Sequence, residues 1–371
     1  MQTDRIELIG ATPGQQPSLR VLRFGHAGAG PKAAIQAALH ADEIPAMLVA
    51  HHLRSQLEAL DAAGQLIGQV VLLPYANPIG LAQHLYGQHH GRFDLKDGVN
   101  FNRRFADLGA AAVTALNGRL GADPADNVRI VRQALRSAVA ALVVSTPAED
   151  LKRHLLRQAV DADIVLDLHC DGEAVLHLYG LTPQHALCME LGALLGARAI
   201  LLANVSGDSP FDEACSRPWL ALQQAFPAQP LPLACFSTTV ELRGQTDTSH
   251  ALAQRDAAAI IEFLRRRGVV AGKPVAALPM CCEATPLAAS ESLKSDRAGV
   301  VVFHREPGEM LAAGTLVAEV VDVDDGSVRP LLTQSAGVLY ARSATRWATP
   351  GQVLAKVAGS TLVRSGNLLS P

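Results

Sequence analysis

The chain has 371 residues, 49% of them hydrophobic and 18% charged, which is enough apolar material for a large core and argues against disorder. A formal charge of −3 argues against a nucleic-acid surface, and no apolar run nears the roughly 18 residues of a membrane span. Six scattered cysteines without a CxxC pair form no disulfide framework, and the start MQTDRIELIG lacks a basic-then-apolar leader layout. A cytoplasmic protein with reduced thiols is expected, with no nucleic-acid and no membrane partner.

In chain order, four apolar runs read as buried strands: KAAIQAALH (32–40), QVVLLPYAN (69–77), ADIVLDLH (162–169) and CFSTTVEL (235–242). Between them lie helical patterns at 44–60, 183–197 and 249–268. The last runs from a Ser249 cap to Gly268 behind three arginines, charges that suit a helix C-terminus. Buried strands alternating with helices indicate an α/β sheet covered on both faces. Residues 106–160, Ala-rich and broken by GADPAD, read as a helical insertion. A Pro/Gly-rich boundary falls in GVVAGKPVAALP (268–279). Beyond it, Val-rich runs punctuated by Gly predict a small all-β module, in which two AGV starts, each followed by a PG turn, hint at a duplication. The expected domains are therefore 1–278 and 285–371.

Ligands of open α/β sheets gather outside the carboxyl ends of the strands. Three of the four runs end in His40, His169 and Glu241, with Glu43 just past the first, and the fourth ends in Asn77. A lone histidine at a strand end is more often a hydrogen-bonded structural residue, and HxxE alone arises by chance. Together, though, two imidazoles and a carboxylate are the set that leaves a catalytic zinc an open position for water. A further carboxylate can then take a proton. Asp167, two before His169 on a strand, would lie on the same side and orient its ring. Other signals are weaker. GHAGAG (25–30) is followed by a strand where a phosphate loop needs a helix. His51–His52 fall in a helix, and His89–His90 sit in the loop beside Arg92, within reach of a substrate. Cys170 should face away from the site.

HADE (His40, Glu43), NFNRRF (100–105), DLHCDG (167–172) and VELRG (240–244) occur in the order of the zinc carboxypeptidase-like superfamily. Over roughly residues 30 to 265 the chain resembles its succinylglutamate desuccinylase/aspartoacylase branch. The resemblance implies an α/β fold, a zinc carboxypeptidase-like mixed sheet covered by helices, with a small C-terminal all-β module. It implies one Zn2+ per subunit on His40, Glu43 and His169, with Glu241 as general base. Asn102 and Arg103 would hold the substrate carboxylate, and Arg92, ten residues before Asn102, would polarise the carbonyl. Asn100 stands where the family's DLNR pattern has Asp, a lost charge that bears on how Arg103 is held. If that segment is extended, Arg103 and Arg104 point to opposite sides and only Arg103 faces the zinc.

The expected protein is a zinc-dependent amidohydrolase that cleaves the acyl-amide bond of a small N-acyl amino acid. A metallocarboxypeptidase on short peptides and a catalytically silent metabolite-binding member remain as alternatives. The β module is expected either to shape access to the site, without supplying a zinc ligand, or to serve packing or oligomerisation. A homo-oligomer stays open.

Overall fold

A computed structural model describes residues 1–276 and 278–368. Its main sheet has nine strands: β1 (Gln2–Glu7), β2 (Ser18–Gly25), β3 (Lys32–Ala37), β4 (Gln69–Leu73), β5 (Ile164–Asp171), β6 (His177–Leu181), β7 (Ala199–Ala203), β8 (Phe236–Gly244) and β9 (Ala284–Pro286). Their order is β1-β2-β4-β3-β5-β8-β6-β7-β9. The central block β4-β3-β5-β8 is parallel. The direction reverses at β2 beside β4 and at β6 beside β8, and β7 and β9 run parallel to β6. The central strands are buried on both faces, which is why they read as continuous apolar runs.

Seven helices cover the sheet: α1 (Pro45–Ala62), α2 (Gly109–Leu116), α3 (Pro124–Ala140), α4 (Pro147–Ala159), α5 (His185–Leu195), α6 (Phe211–Ala225) and α7 (His250–Arg266). Leu53 and Leu57 of α1, Leu191 of α5 and Phe263 of α7 pack on Ile35, Leu166 and Leu168. On the other face, Leu116, Val131, Leu135, Leu155 and Trp219, from α2, α3, α4 and α6, pack on Ala34, Val71 and Val165. The two faces use alternate residues of the same strands, as the pleat requires. The segment 106–160 thus supplies most of one covering layer. Ser249 caps α7 by accepting from the Leu252 N–H at 3.3 Å.

The run 69–77 stops being a strand at Leu73, because Pro74 cannot donate to a ladder. Asn77 instead caps a helical turn, accepting from Gly80 N–H at 2.8 Å, and its Nδ2 donates to the Leu39 carbonyl at 2.9 Å. Gly25 and Gly30 of GHAGAG serve close packing, while Gly28 takes a positive φ in open space. A Cβ on Gly25 would lie 2.1 Å from the Gly68 carbonyl oxygen, and Gly25 takes φ +68°.

Two further layers follow, each with four strands from this region and one of them joined by the short strand Glu173–Ala174. They comprise β10 (Ser290–Lys294), β11 (Gly299–Phe303), β12 (Met310–Leu311), β13 (Leu316–Val321), β14 (Val328–Leu332), β15 (Gly337–Arg342), β16 (Trp347–Ala348) and β17 (Val353–Gly359). The sheets β10-β17-β15-β12 and β14-β13-β11-β16 enclose Val301, Val317, Val320, Leu339, Leu354 and Val357. The two AGV starts open β11 and β15. Each is followed by a two-residue strand and then a longer one, and each short strand pairs with the first strand of the other repeat. The duplication hinted at by the sequence is an exchanged pair of strand triplets. Among the described residues no helix is long and apolar enough to cross a membrane.

Candidate active site

At the end of β3 the chain turns sharply. Ala38 takes φ +55° while its N–H still donates to the Leu168 carbonyl at 3.2 Å. That turn folds His40 and Glu43 back over the carboxyl edge of the sheet, and Pro45 then starts α1. In the parallel ladder Gln36 pairs with Asp167 and Glu241 with His169. Three strand ends therefore deliver their polar residues to one place.

His40 Nδ1 lies 2.9 Å from Glu43 Oε1, and His169 Nδ1 lies 2.7 Å from Glu43 Oε2. One ligand atom from each of the three lies within 4.8 Å of the others, and all three side chains are buried. Behind the rings, His40 Nε2 is 2.8 Å from Asn100 Oδ1 and His169 Nε2 is 2.9 Å from Asp167 Oδ2. Gln36 Nε2 in turn donates to the other oxygen of Asp167 at 2.9 Å. Two rings with their Nδ1 atoms converging, one backed by an amide oxygen and the other by a carboxylate at ion-pair distance, resemble the way proteins orient metal-binding histidines. Two imidazoles and a carboxylate, buried together, fit a divalent cation such as zinc. The Cys170 N–H steadies Glu43 Oε2 at 3.1 Å, while burial pushes its thiol up, away from nucleophilic use.

The local electrostatics follow from burial and proximity. Burial, with Arg92, lowers His40 to about 4. Burial alone would raise Glu43, but the two imidazoles outweigh it and hold the carboxyl well below its ordinary value. Burial would likewise lower His169, yet Asp167 and Glu43 raise it well above its ordinary value. Glu241 is pushed up to about 8 by burial and then by the Glu43 charge. Its Oε2 is shielded from solvent and has no hydrogen-bond partner among the described residues.

Arg92 Nη1 lies 3.2 Å from His40 Nδ1 and 3.3 Å from Glu43 Oε1. Asn102 is buried, with Nδ2 3.3 Å from His169 Nε2 and Oδ1 accepting from Phe211 N–H at the start of α6. Arg103 is buried beside it and donates from Nη1 to the Asn102 carbonyl at 2.8 Å. The expectation of an extended segment here is corrected. Residues 100–103 form a turn, closed by Arg103 N–H to the Asn100 carbonyl, and Arg104 leaves it at φ +57°. The turn still separates the two arginines, for Arg104 is exposed. All seven residues singled out by the motifs, namely His40, Glu43, Arg92, Asn102, Arg103, His169 and Glu241, line one cavity. The tempting histidines lie outside its lining. His89 Nε2 is 3.0 Å from the Gly80 carbonyl oxygen, and His52 pairs with His250 on the surface.

Several lining residues carried no signal in the sequence. Asp212, in the first turn of α6, is pushed up to about 8 by burial and then by Glu213. Ser292, Tyr340, Lys356 and Arg364 come from the β region after residue 290.

The sequence profile of the succinylglutamate desuccinylase/aspartoacylase catalytic domain matches residues 29–267. The chain belongs to the succinylglutamate desuccinylase/aspartoacylase family. The crystal structure of a member of this family from Shewanella amazonensis superposes with a TM-score of 0.87 at 27% identity, covering 96% of this chain and 98% of that one. A Shewanella frigidimarina protein described by the same two enzyme names gives 0.85 at 24% identity, covering 96% and 97%. The fold is shared with the product-bound ectoine utilization protein EutE (DoeB) of Ruegeria pomeroyi, at a TM-score of 0.66 and 17% identity over 97% and 98% of the two chains. No sequence among the curated proteins matches the chain.

Proposed function

We propose that the protein is a zinc-dependent deacylase that hydrolyses the acyl-amide bond of a small N-acyl amino acid. The observation that carries this reading is the convergence of His40 Nδ1, His169 Nδ1 and the Glu43 carboxylate beside a glutamate whose Oε2 is free. When bound by His40, Glu43 and His169, zinc supplies a Lewis acid for the carbonyl and lowers the pKa of water to about 7. Arg103 forks the substrate carboxylate and Asn102 sets its register. Arg92, whose guanidinium already reaches the ligand atoms, donates to the oxygen on which negative charge develops. Glu241 accepts a proton from the attacking water at Oε2 and returns it to the departing amine nitrogen. A carboxyl raised by burial is matched to that two-way transfer near neutral pH.

A panel of N-acyl amino acids assayed beside dipeptides tests the reading. N-acyl amino acids should be cleaved and dipeptides left nearly untouched, whereas preference for dipeptides would make the protein a carboxypeptidase. His169→Ala should purify without zinc by elemental analysis. Glu241→Gln should keep zinc and lose turnover by at least about a hundredfold. Near-normal turnover in that variant would remove Glu241 from the role of base, and no cleavage of either class would leave a binding protein.

A further inference from the structure

The acids that line the cavity are Glu43, Asp171, Asp212, Glu213 and Glu241. Three of them have partners. Glu43 faces both histidines, and Asp171 Oδ2 lies 2.6 Å from Lys356 Nζ. Glu213 accepts from the Ser206 N–H at 2.6 Å and lies 3.6 Å from Arg217 Nη1. Glu241 has its place in the reaction as the base. Asp212 differs. It is 7% exposed, and among the described residues no cation comes within ion-pair reach of it and no side chain hydrogen-bonds to its carboxyl. The Glu213 N–H, next along the chain, is the one donor against it. A buried carboxyl without a partner is costly, and in a native fold such a group needs an explanation.

Its position is set by its neighbours. The Phe211 N–H donates to Asn102 Oδ1 at 2.9 Å, which ties the start of α6 to the turn that carries Arg103. Asp212 is the next residue, and its charge is felt at the Arg103 guanidinium. The Ser216 hydroxyl donates to the Asp212 carbonyl at 3.0 Å and steadies the same turn of helix. An acid in a first turn suits the helix dipole, but that role requires neither burial nor a cavity. Burial, and then Glu213, push the Asp212 carboxyl up to about 8, because the protein supplies no cation close enough to offset them. Leu181 and Pro210 line the same cavity and offer apolar surface to a methylene stem.

We infer that Asp212 is a specificity-determining residue that binds an ammonium group on the amino-acid side chain of the substrate. The inference rests on the deacylase reading. With the α-carboxylate at Arg103 and the amide at the metal-binding set, the side chain is the part of an N-acyl amino acid that can turn to the wall beside Arg103. A full positive charge suits this wall better than a neutral donor, because charge-assisted hydrogen bonds are about twice as strong.

The test uses three ligands: Nα-acetylornithine and Nα-acetyllysine, which carry the ammonium at two lengths, and Nα-acetylnorleucine, in which a methyl replaces the ornithine ammonium. Calorimetric binding to zinc-loaded Glu241→Gln protein gives affinity without turnover. At least one basic ligand should bind about tenfold tighter than acetylnorleucine, the low end for a charge-assisted hydrogen bond. Adding Asp212→Asn, which keeps the size and removes the charge, should abolish that advantage and change acetylnorleucine affinity by less than about threefold. Asp212→Glu, one methylene longer, should keep an advantage and move it toward the shorter ammonium ligand. Equal binding of all three ligands, or equal weakening of all three by Asp212→Asn, would overturn the assignment and leave Asp212 as a support of α6. If wild type cleaves none of the three while the Asp212-dependent advantage persists, the deacylase reading fails and the ammonium site stands.

Discussion

Asn100 supports the first imidazole of the site with a neutral oxygen. Its Oδ1 accepts from the Asn102 N–H at 2.8 Å and lies 2.8 Å from His40 Nε2, while its buried Nδ2 finds no partner among the described residues. His169 is backed by the Asp167 carboxylate, so the two histidines are not equivalent donors. A carboxylate behind a ring makes it a more basic ligand, and a stranded buried N–H costs about 1–3 kcal/mol. Asn100→Asp should therefore raise zinc affinity by about tenfold in competition with a chelator, the low end for such a partner. Unchanged or weaker zinc binding would show that the oxygen at position 100 does not set the ring. His40, Glu43, His169 and Glu241 were legible in the sequence because each is an ionisable group at or just past the end of an apolar run. The work of Asn100 was not, since the contact closes over 60 positions and the sequence shows only an amide in place of an acid.

At the scale of elements, the turn that presents Asn102 and Arg103 is held by α4. That helix begins at a capping box between Thr146 and Glu149 and projects Lys152 inward. Lys152 Nζ donates to the Arg103 carbonyl at 2.6 Å and to the Asn100 carbonyl at 3.4 Å. Burial lowers its pKa to about 8 from 10.5. A lysine depressed in this way binds its proton less well folded than unfolded. Its charged form costs stability below about pH 8, and the cost lifts as pH rises toward 10.5. Lys152→Met lacks that titration. The stability of wild type relative to the variant, from denaturant melts, should rise over this interval by up to about 3 kcal/mol. A difference that is flat with pH would mean that Lys152 is not desolvated. At neutral pH the variant should also lose turnover, because the Arg103 carbonyl loses its donor. The helical character of 106–160 was readable from its Ala-rich composition, but nothing in the sequence marked Lys152 among its charges. The edge strand β1 and the strands β6 and β7 were missed for a related reason. QTDRIE has no continuous apolar run, and HLYGL and AILLA are too short to tell from the helices beside them.

Across the whole molecule, the β region is docked on the strand that carries His169. Two residues beyond it, Asp171 meets Lys356; two further on, Glu173 Oε2 lies 2.5 Å from Arg342 Nε and its Oε1 2.5 Å from Arg346 Nη2. The short strand Glu173–Ala174 pairs with β15, and both arginines lie over the Phe303 ring at 4.9 Å. The β texture of this region was plain in the sequence. Its docking was not, because Asp171 and Lys356 are 185 positions apart and Lys356 stands in no motif. The access role expected for the region gains support from Ser292, Tyr340 and Lys356 in the cavity wall. Lys356→Met separates that role from plain packing, since methionine keeps much of the stem and removes the charge. It would leave Asp171 as an uncompensated carboxylate beside Glu241. Breaking a fully buried pair costs about 3–5 kcal/mol, and this one is about a quarter exposed, so a loss of about 1–3 kcal/mol is expected. Zinc content should not change, because Lys356 touches no ligand atom in the site, but turnover should fall. Adding Asp171→Asn removes the stranded charge and should return part of the lost stability, giving a favourable coupling in a double-mutant cycle. If Lys356→Met lowers stability while turnover stays at the wild-type level, the β region serves packing alone.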